Sequence, residues 1–184
     1  MKLNPKKTSL IVVDMQNDFA HKKGSLYVPS TSKVIPNIKK LIKEMRESKV
    51  PVFYTQDWHR PDWMEFKKWP VHCVQGSWGA EIIEELKPEE NEYCIKKQTY
   101  DAFYGTFLER YLKELKVDTL LISGAVSNIC VLETASDAAR RGYYVVIPID
   151  AVASLDEFGQ KILIHQMESL YGAKITTTEK ILFK

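Results

Sequence analysis

Apolar residues recur along this chain in two alternating rhythms. TSLIVVDM (8–15) is a short β-branched run that reads as a strand covered on both faces. Residues 32–48 then place Val34, Ile35, Ile38, Leu41, Ile42 and Met45 at helical spacing. Pro51 opens a second strand, VFYTQ (52–56), at an end where a missing N–H does least harm. A polar and aromatic stretch runs from Asp57 to Ser77, and residues 78–87 read as a helix through Ile82, Ile83 and Leu86. A third strand is expected near 93–96, and a helix over 105–115 carries Phe107, Leu108, Tyr111, Leu112 and Leu115. DTLLIS (118–123) is the fourth strand, followed by a helix from about 128 to 141 that Gly142 ends as its C′ residue. YYVVIPI (143–149) is the fifth. Ser154 and Glu157 have capping-box spacing and open a helix through Phe158, Ile162, Met167 and Leu170. Gly172 stops it before a sixth strand, AKITTT (173–178). Strands alternating with helices predict an α/β fold. The expectation is a single-domain, doubly wound three-layer sandwich over 1–184, with a mostly parallel six-stranded sheet and right-handed crossovers. No GxGxxG follows the first strand, so the dinucleotide-binding version is not supported.

Composition narrows the function classes. With 184 residues and 45% hydrophobic content, the chain can bury a sizeable core and is not expected to be disordered. No apolar run reaches the roughly 18 residues of a membrane span. The N-terminus lacks a small-residue cleavage site, so its apolar stretch reads as a strand and the expected location is the cytoplasm. Lys and Arg number 26 against 24 Asp and Glu, and the basic residues are scattered, which argues against nucleic acid as a partner. Three cysteines without CxxC spacing are not a disulfide framework and fit a reducing compartment.

In open α/β sheets, ligands bind beyond the carboxyl ends of the strands, where strand order reverses. Asp14, Gln16, Asn17, Asp18 and Phe19 follow the first strand, and Asp57 and His59 follow the second. Lys97 follows the third, and Gly124 through Cys130 follows the fourth. Each is ordinary at a strand end, but together they bring carboxylates, an imidazole, an ammonium and a thiol to one rim. Cys130 falls at a helix start, where backbone N–H groups favour the thiolate. Lys96 should face away from Lys97 by strand alternation. Asp14 should be partly buried and need a partner, while Asp18 suits a loop hydrogen bond. Asp57, His59 and the later His72 form a carboxylate–imidazole set of the kind that binds Zn²⁺, Fe²⁺ or Mn²⁺ with positions left open. His21 and His165 read as surface residues, Cys73 as a small packed residue, and Cys94 as core.

The blocks VVDMQNDF (12–19), QDWH (56–59), WPVHCVQGSWGAE (69–81), KQTYDAFYGT (97–106) and GAVSNICV (124–131) identify a resemblance that covers nearly the whole chain. The sequence resembles the isochorismatase-like cysteine hydrolases, most closely the nicotinamidases (pyrazinamidases). That resemblance implies a catalytic triad of Asp14, Lys97 and Cys130, and an oxyanion hole from the N–H groups of Val126 and Cys130. It also implies a cis peptide at Ala125–Val126, metal ligands Asp57, His59 and His72, and a ring sandwich from Phe19 and Trp69. The implied cofactor is a divalent metal, Zn first, with Fe or Mn as alternatives. The implied reaction is hydrolysis of nicotinamide to nicotinic acid and ammonia through a cysteine thioester, in pyridine-nucleotide salvage by a homo-oligomer. Two departures bear on the substrate. Trp63 falls about where nicotinamidases often carry a further His, and Ala-Val-Ser stands in place of Val-Ala-Thr ahead of the nucleophile. Another small amide or ureido compound is therefore the alternative substrate class. A catalytically silent binding subunit is a further reading, opposed by the intact triad, and a metal-hydroxide hydrolase is another, which Cys130→Ser would separate because its mechanism should survive that change. An isochorismatase proper needs no cysteine.

Overall fold

Six uncharged residues, Thr8–Val13, are all buried, as a strand covered on both faces requires. In the computed structural model, which describes residues 1–183, they form β2, after a two-residue β1 (Lys2–Leu3). The other strands are β3 (Val52–Asp57), β4 (Tyr93–Lys97), β5 (Thr119–Gly124), β6 (Tyr144–Pro148), β7 (Lys174–Thr176) and β8 (Leu182–Phe183). The helices are α1 (Asn17–Ala20), α2 (Thr31–Glu47), α3 (Leu108–Glu114), α4 (Leu132–Arg140) and α5 (Glu157–Tyr171). Six strands make one sheet in the order β4-β3-β2-β5-β6-β7, every neighbouring pair parallel. β1 and β8 form a separate parallel pair that ties the chain's two ends together.

Alternation along the strands divides the core in two. Leu10, Val12, Val52, Tyr54 and Leu121 pack on one face against Val34, Ile38, Leu41, Ile42 and Met45 of α2. Ile11, Val13, Phe53, Leu120 and Ile122 pack on the other against α3, α4 and α5, through Leu108, Leu112, Ala135, Ala138, Leu163 and Met167. Among the described residues, no helix is long and apolar enough to cross a membrane.

Four local expectations are corrected. Residues 78–87 are not a helix but two single 3-10 turns, Trp78–Ala80 and Glu84–Leu86. Their backbone groups bond the segment after β2 instead: Asn17 N–H donates to the Glu81 carbonyl, and Ile83 N–H to that of Met15. The N-cap of α5 is Asp156, whose carboxylate accepts from Gly159 N–H, and not Ser154. The segment before α4 is a π-type turn, Ser127–Val131, so the regular helix starts two residues after Cys130. Cys94 is exposed, because β4 is the sheet's edge strand and only its Ile95 and Lys97 face is covered.

Strand order reverses between β2 and β5, which creates a crevice at their carboxyl ends. Gly124 makes the close approach possible. With φ +113, a Cβ there would lie 2.1 Å from the Val13 carbonyl oxygen.

Candidate active site

The crevice gathers the predicted residues from four adjacent strand ends. Asp14 immediately follows β2 in a left-handed conformation (φ 48) that Asp tolerates better than most residues. Asp57 and Lys97 are the last residues of β3 and β4, in register with each other. Cys130 comes from the π-type turn after β5. All four are buried.

Lys97 Nζ is the hub. It stands 2.8 Å from Asp14 Oδ2, bonds Asp57 Oδ1, donates to the Thr99 carbonyl at 2.9 Å and lies 3.6 Å from Cys130 Sγ. Burial alone would drive the ammonium's proton off, but the two carboxylates outweigh it and hold Lys97 well above its ordinary value. Asp57 is likewise pushed up by burial, then pulled down to about 2 by Lys97 and His59. Asp14 goes the other way: burial raises it, and Lys97 only partly compensates. The Thr55 hydroxyl donates to Asp14 Oδ1 at 2.6 Å. Oδ2 meets Lys97 only as an ion pair outside hydrogen-bond geometry, which leaves a lone pair available. Cys130 does not follow the expectation drawn from its helix-start position. Burial pushes its thiol well above the ordinary value despite Lys97, so the resting group is the thiol.

A second cluster adjoins the first through Asp57. Ligand atoms of Asp57, His59 and His72 all lie within 4.8 Å of one another. Gln16 fixes Asp57 from both sides, accepting from its N–H and donating to its carbonyl, each at 2.8 Å. His59 is fully buried, and neither ring nitrogen has a hydrogen-bond partner. Such a ring is costly unless something else satisfies it. His72 Nδ1 lies 2.7 Å from the Pro70 carbonyl, so it carries the proton and Nε2 is free as a ligand atom. A carboxylate, a fully buried unpartnered imidazole and an oriented second imidazole fit a divalent transition metal.

One residue of this cluster escaped the sequence reading. Glu65 Oε2 lies 3.9 Å from His59 Nε2. Trp63, singled out by its position, instead stacks beside the His59 ring with centroids 6.1 Å apart. A carboxylate two residues further on carries no periodic or motif signal, and only the single turn Met64–Lys67 brings it inward. Asp18 has the expected loop role, accepting from the N–H groups of Cys73 and Ser25. Cys73 is packed and fully buried, Lys96 turns outward to cover the Trp58 ring, and His21 and His165 are exposed.

Between the clusters opens a cleft of about 500 Å³, including its mouth, lined by Phe19, Trp69, Tyr100, Val126, Ile129 and Leu155. Its floor holds Cys130, Asp57 and His72, and neither Lys nor Arg lines it. The Ala125–Val126 peptide is cis, as the resemblance implies.

A three-layer α/β fold with this rim defines a class of hydrolase, and comparison with known proteins identifies the family within it. The Isochorismatase domain family matches residues 8–180, and the chain belongs to that family. It is 34% identical over 177 residues to the uncharacterized isochorismatase family protein YaaI of Bacillus subtilis, covering 96% of this chain and 97% of that one. Among solved structures it is similar to N-carbamoylsarcosine amidase from Thermoplasma acidophilum, with 36% identity, TM-score 0.87 and coverage of 95% of this chain and 98% of that one. It is similar also to the pyrazinamidase of Pyrococcus horikoshii in complex with zinc, with 33% identity, TM-score 0.87 and coverage of 93% and 99%.

Proposed function

We propose that this protein is a nicotinamidase, hydrolysing nicotinamide to nicotinic acid and ammonia through a thioester on Cys130. The observation that carries the reading is the placement of one largely apolar cleft, lined by Phe19 and Trp69, between the Cys130 thiol and the Asp57–His59–His72 cluster. A heteroaromatic amide fits such a slot with its carbonyl toward sulfur and its ring nitrogen toward the cluster.

The chemistry follows from the protonation states. The thiol is held protonated by burial, so attack needs a base. Asp14, itself raised by burial and with Oδ2 uncommitted, is matched to take that proton. Lys97 stays charged and compensates the thiolate as it forms. The N–H groups of Val126 and Cys130 receive the oxyanion, a contribution of about 3–4 kcal/mol per donor in related sites. Protonated Asp14 returns its proton to the departing ammonia, and water then releases the acid. Asp57, His59 and His72 would hold a divalent ion, with Glu65 as a candidate fourth ligand, and the bound ion would supply a Lewis acid that orients the ring.

Similarity to N-carbamoylsarcosine amidase favours a second reading, a ureido or other small amide substrate. Ureido acids carry a carboxylate, however. No Lys or Arg lines the cleft to pair with it, so such a substrate would have only the bound ion to meet its negative charge. The test is ammonia release from nicotinamide and, in parallel, from N-carbamoylsarcosine, by protein loaded with Zn²⁺, Mn²⁺ or Fe²⁺. Turnover of nicotinamide that is lost in Cys130→Ala supports the reading, and turnover of the ureido acid alone overturns it.

A further inference from the structure

Tyr100 takes no part in the steps above. It lies three residues beyond Lys97, in the turn that leaves β4, and its ring lines the cleft. Its hydroxyl oxygen accepts a hydrogen bond from Trp69 Nε1 at 3.1 Å. A phenol that accepts still has one proton to give. Glu65 lines the same cleft, and the backbone N–H of Trp69 donates to the Glu65 carbonyl at 2.9 Å. Glu65 in turn lies 3.9 Å from the unpartnered His59 Nε2. Tyr100 is therefore tied by its hydroxyl to Trp69, whose own backbone is bonded to Glu65 beside the candidate metal cluster.

The two sides of that tie differ in rigidity of support. Tyr100 is anchored on both sides: Lys97 Nζ donates to the Thr99 carbonyl, and Ala102 N–H donates to Thr134 Oγ1 of α4 at 3.1 Å. Trp69 and Glu65 belong to the segment between β3 and β4, which has only single helical turns of its own. His72, a cluster member, is bonded to the carbonyl of Pro70, the residue after Trp69. Displacing Trp69 therefore also disturbs a ligand.

We propose that Tyr100 is a positioning residue whose hydroxyl fixes the Trp69 stacking wall and, through the Trp69 backbone, the adjoining Glu65 and His72, so that ring binding and metal binding are set together. For its substrate the inference rests on the nicotinamidase reading. For the metal it rests only on the cluster's geometry. Tyr100 makes no hydrogen bond to Asp14, Lys97 or Cys130 among the described residues, so its effect falls on binding and not on the bond-breaking steps.

Tyr100→Phe keeps the ring and removes the hydroxyl. The expected result is a KM for nicotinamide raised about tenfold, with kcat within about threefold and the melting temperature unchanged. Zn²⁺ affinity, read by competition with a chromophoric chelator and independent of turnover, should fall about tenfold, as for other groups that orient metal ligands. In a Trp69→Phe background the donor is already gone, so Tyr100→Phe should add little further to KM. Wild-type values of both KM and Zn²⁺ affinity overturn the inference. So does a joint fall of kcat and melting temperature that carries KM with it, which marks ordinary packing. A wild-type protein that turns over no nicotinamide counts against the proposed substrate alone, and the Zn²⁺ measurement then decides the case of Tyr100.

Discussion

The rim that holds Asp14, Asp57, Lys97 and Cys130 and the segment that supplies Glu65, Trp69 and His72 meet in one cleft but are built differently. The rim residues sit at or just beyond the ends of paired parallel strands, and a backbone ladder fixes two of them, Asp57 and Lys97. Between β3 and β4 the chain has no long regular element. It is held by individual ties: Asp18 to Cys73 N–H, His72 to the Pro70 carbonyl, and Trp69 to Tyr100. The difference suggests a division of labour. The proposed nucleophile, its charged partners and the shared carboxylate Asp57 are placed by the sheet, which tolerates little movement, while the proposed ring contact Trp69 and the candidate ligands His72 and Glu65 are placed by a segment whose side-chain ties can be changed one at a time. Substitutions in the first region should alter chemistry, and substitutions in the second should alter binding.

The largest effect is expected at the proposed nucleophile. Cys130→Ala should lower turnover by at least about 10³-fold while leaving Zn²⁺ affinity and melting temperature near wild type, as activity and chelator-competition assays would show. Retention of more than a tenth of the activity would break the comparison. On the other side of the cleft, His59→Ala removes a fully buried imidazole of the proposed metal set whose ring nitrogens have no hydrogen-bond partner. Zn²⁺ affinity should fall about 100-fold or more, with the Cys130 thiol still reacting with a small alkylating agent at the wild-type rate. Thr55→Val sharpens the contrast within the rim. It deletes the hydroxyl that donates to Asp14 Oδ1 and should lower kcat about tenfold with KM unchanged.

The smallest effect concerns stability, at a carboxylate that belongs to neither set of residues. Burial, with the neighbouring Asp137, pushes Asp101 up from 3.8 to about 6, against the lowering effect of Phe103 N–H. The folded protein therefore holds this proton more tightly than the unfolded chain. Its stabilising contribution is fully present below about pH 4 and is lost as pH rises through about 6. Asp101→Asn stays neutral throughout, so its melting temperature relative to wild type should climb between pH 4 and pH 7. A difference that stays flat across that range would count against the shift.

Much of this was legible in the residues because strands end in recognisable ways. A buried apolar run followed by Asp14, and β3 followed by Trp58 and His59, announce both an element and its functional end. The six strands and the α2 and α5 helices follow from periodicity, which burial on two faces enforces. What periodicity missed lies where tertiary contacts override local pattern. Residues 78–87 have helical spacing, yet their backbone pairs with the segment after β2. Cys94 lies within a strand, yet that strand is an edge with only one face covered. Glu65 and Tyr100 acquire their places only from the fold, through a single turn and one hydroxyl–indole bond. The π-type turn at Cys130 was hidden for a similar reason, since its composition is that of an ordinary helix start.

The central claim is that a thioester forms on Cys130 when the cleft holds nicotinamide. Its most direct test is acid-quenched mass spectrometry of the Zn²⁺-loaded protein mixed with excess nicotinamide, followed by mapping of the modified peptide. A nicotinoyl group on Cys130, absent from Cys130→Ala, is the predicted result. Ammonia release that proceeds undiminished in Cys130→Ala, with no adduct on the wild-type protein, would contradict the account.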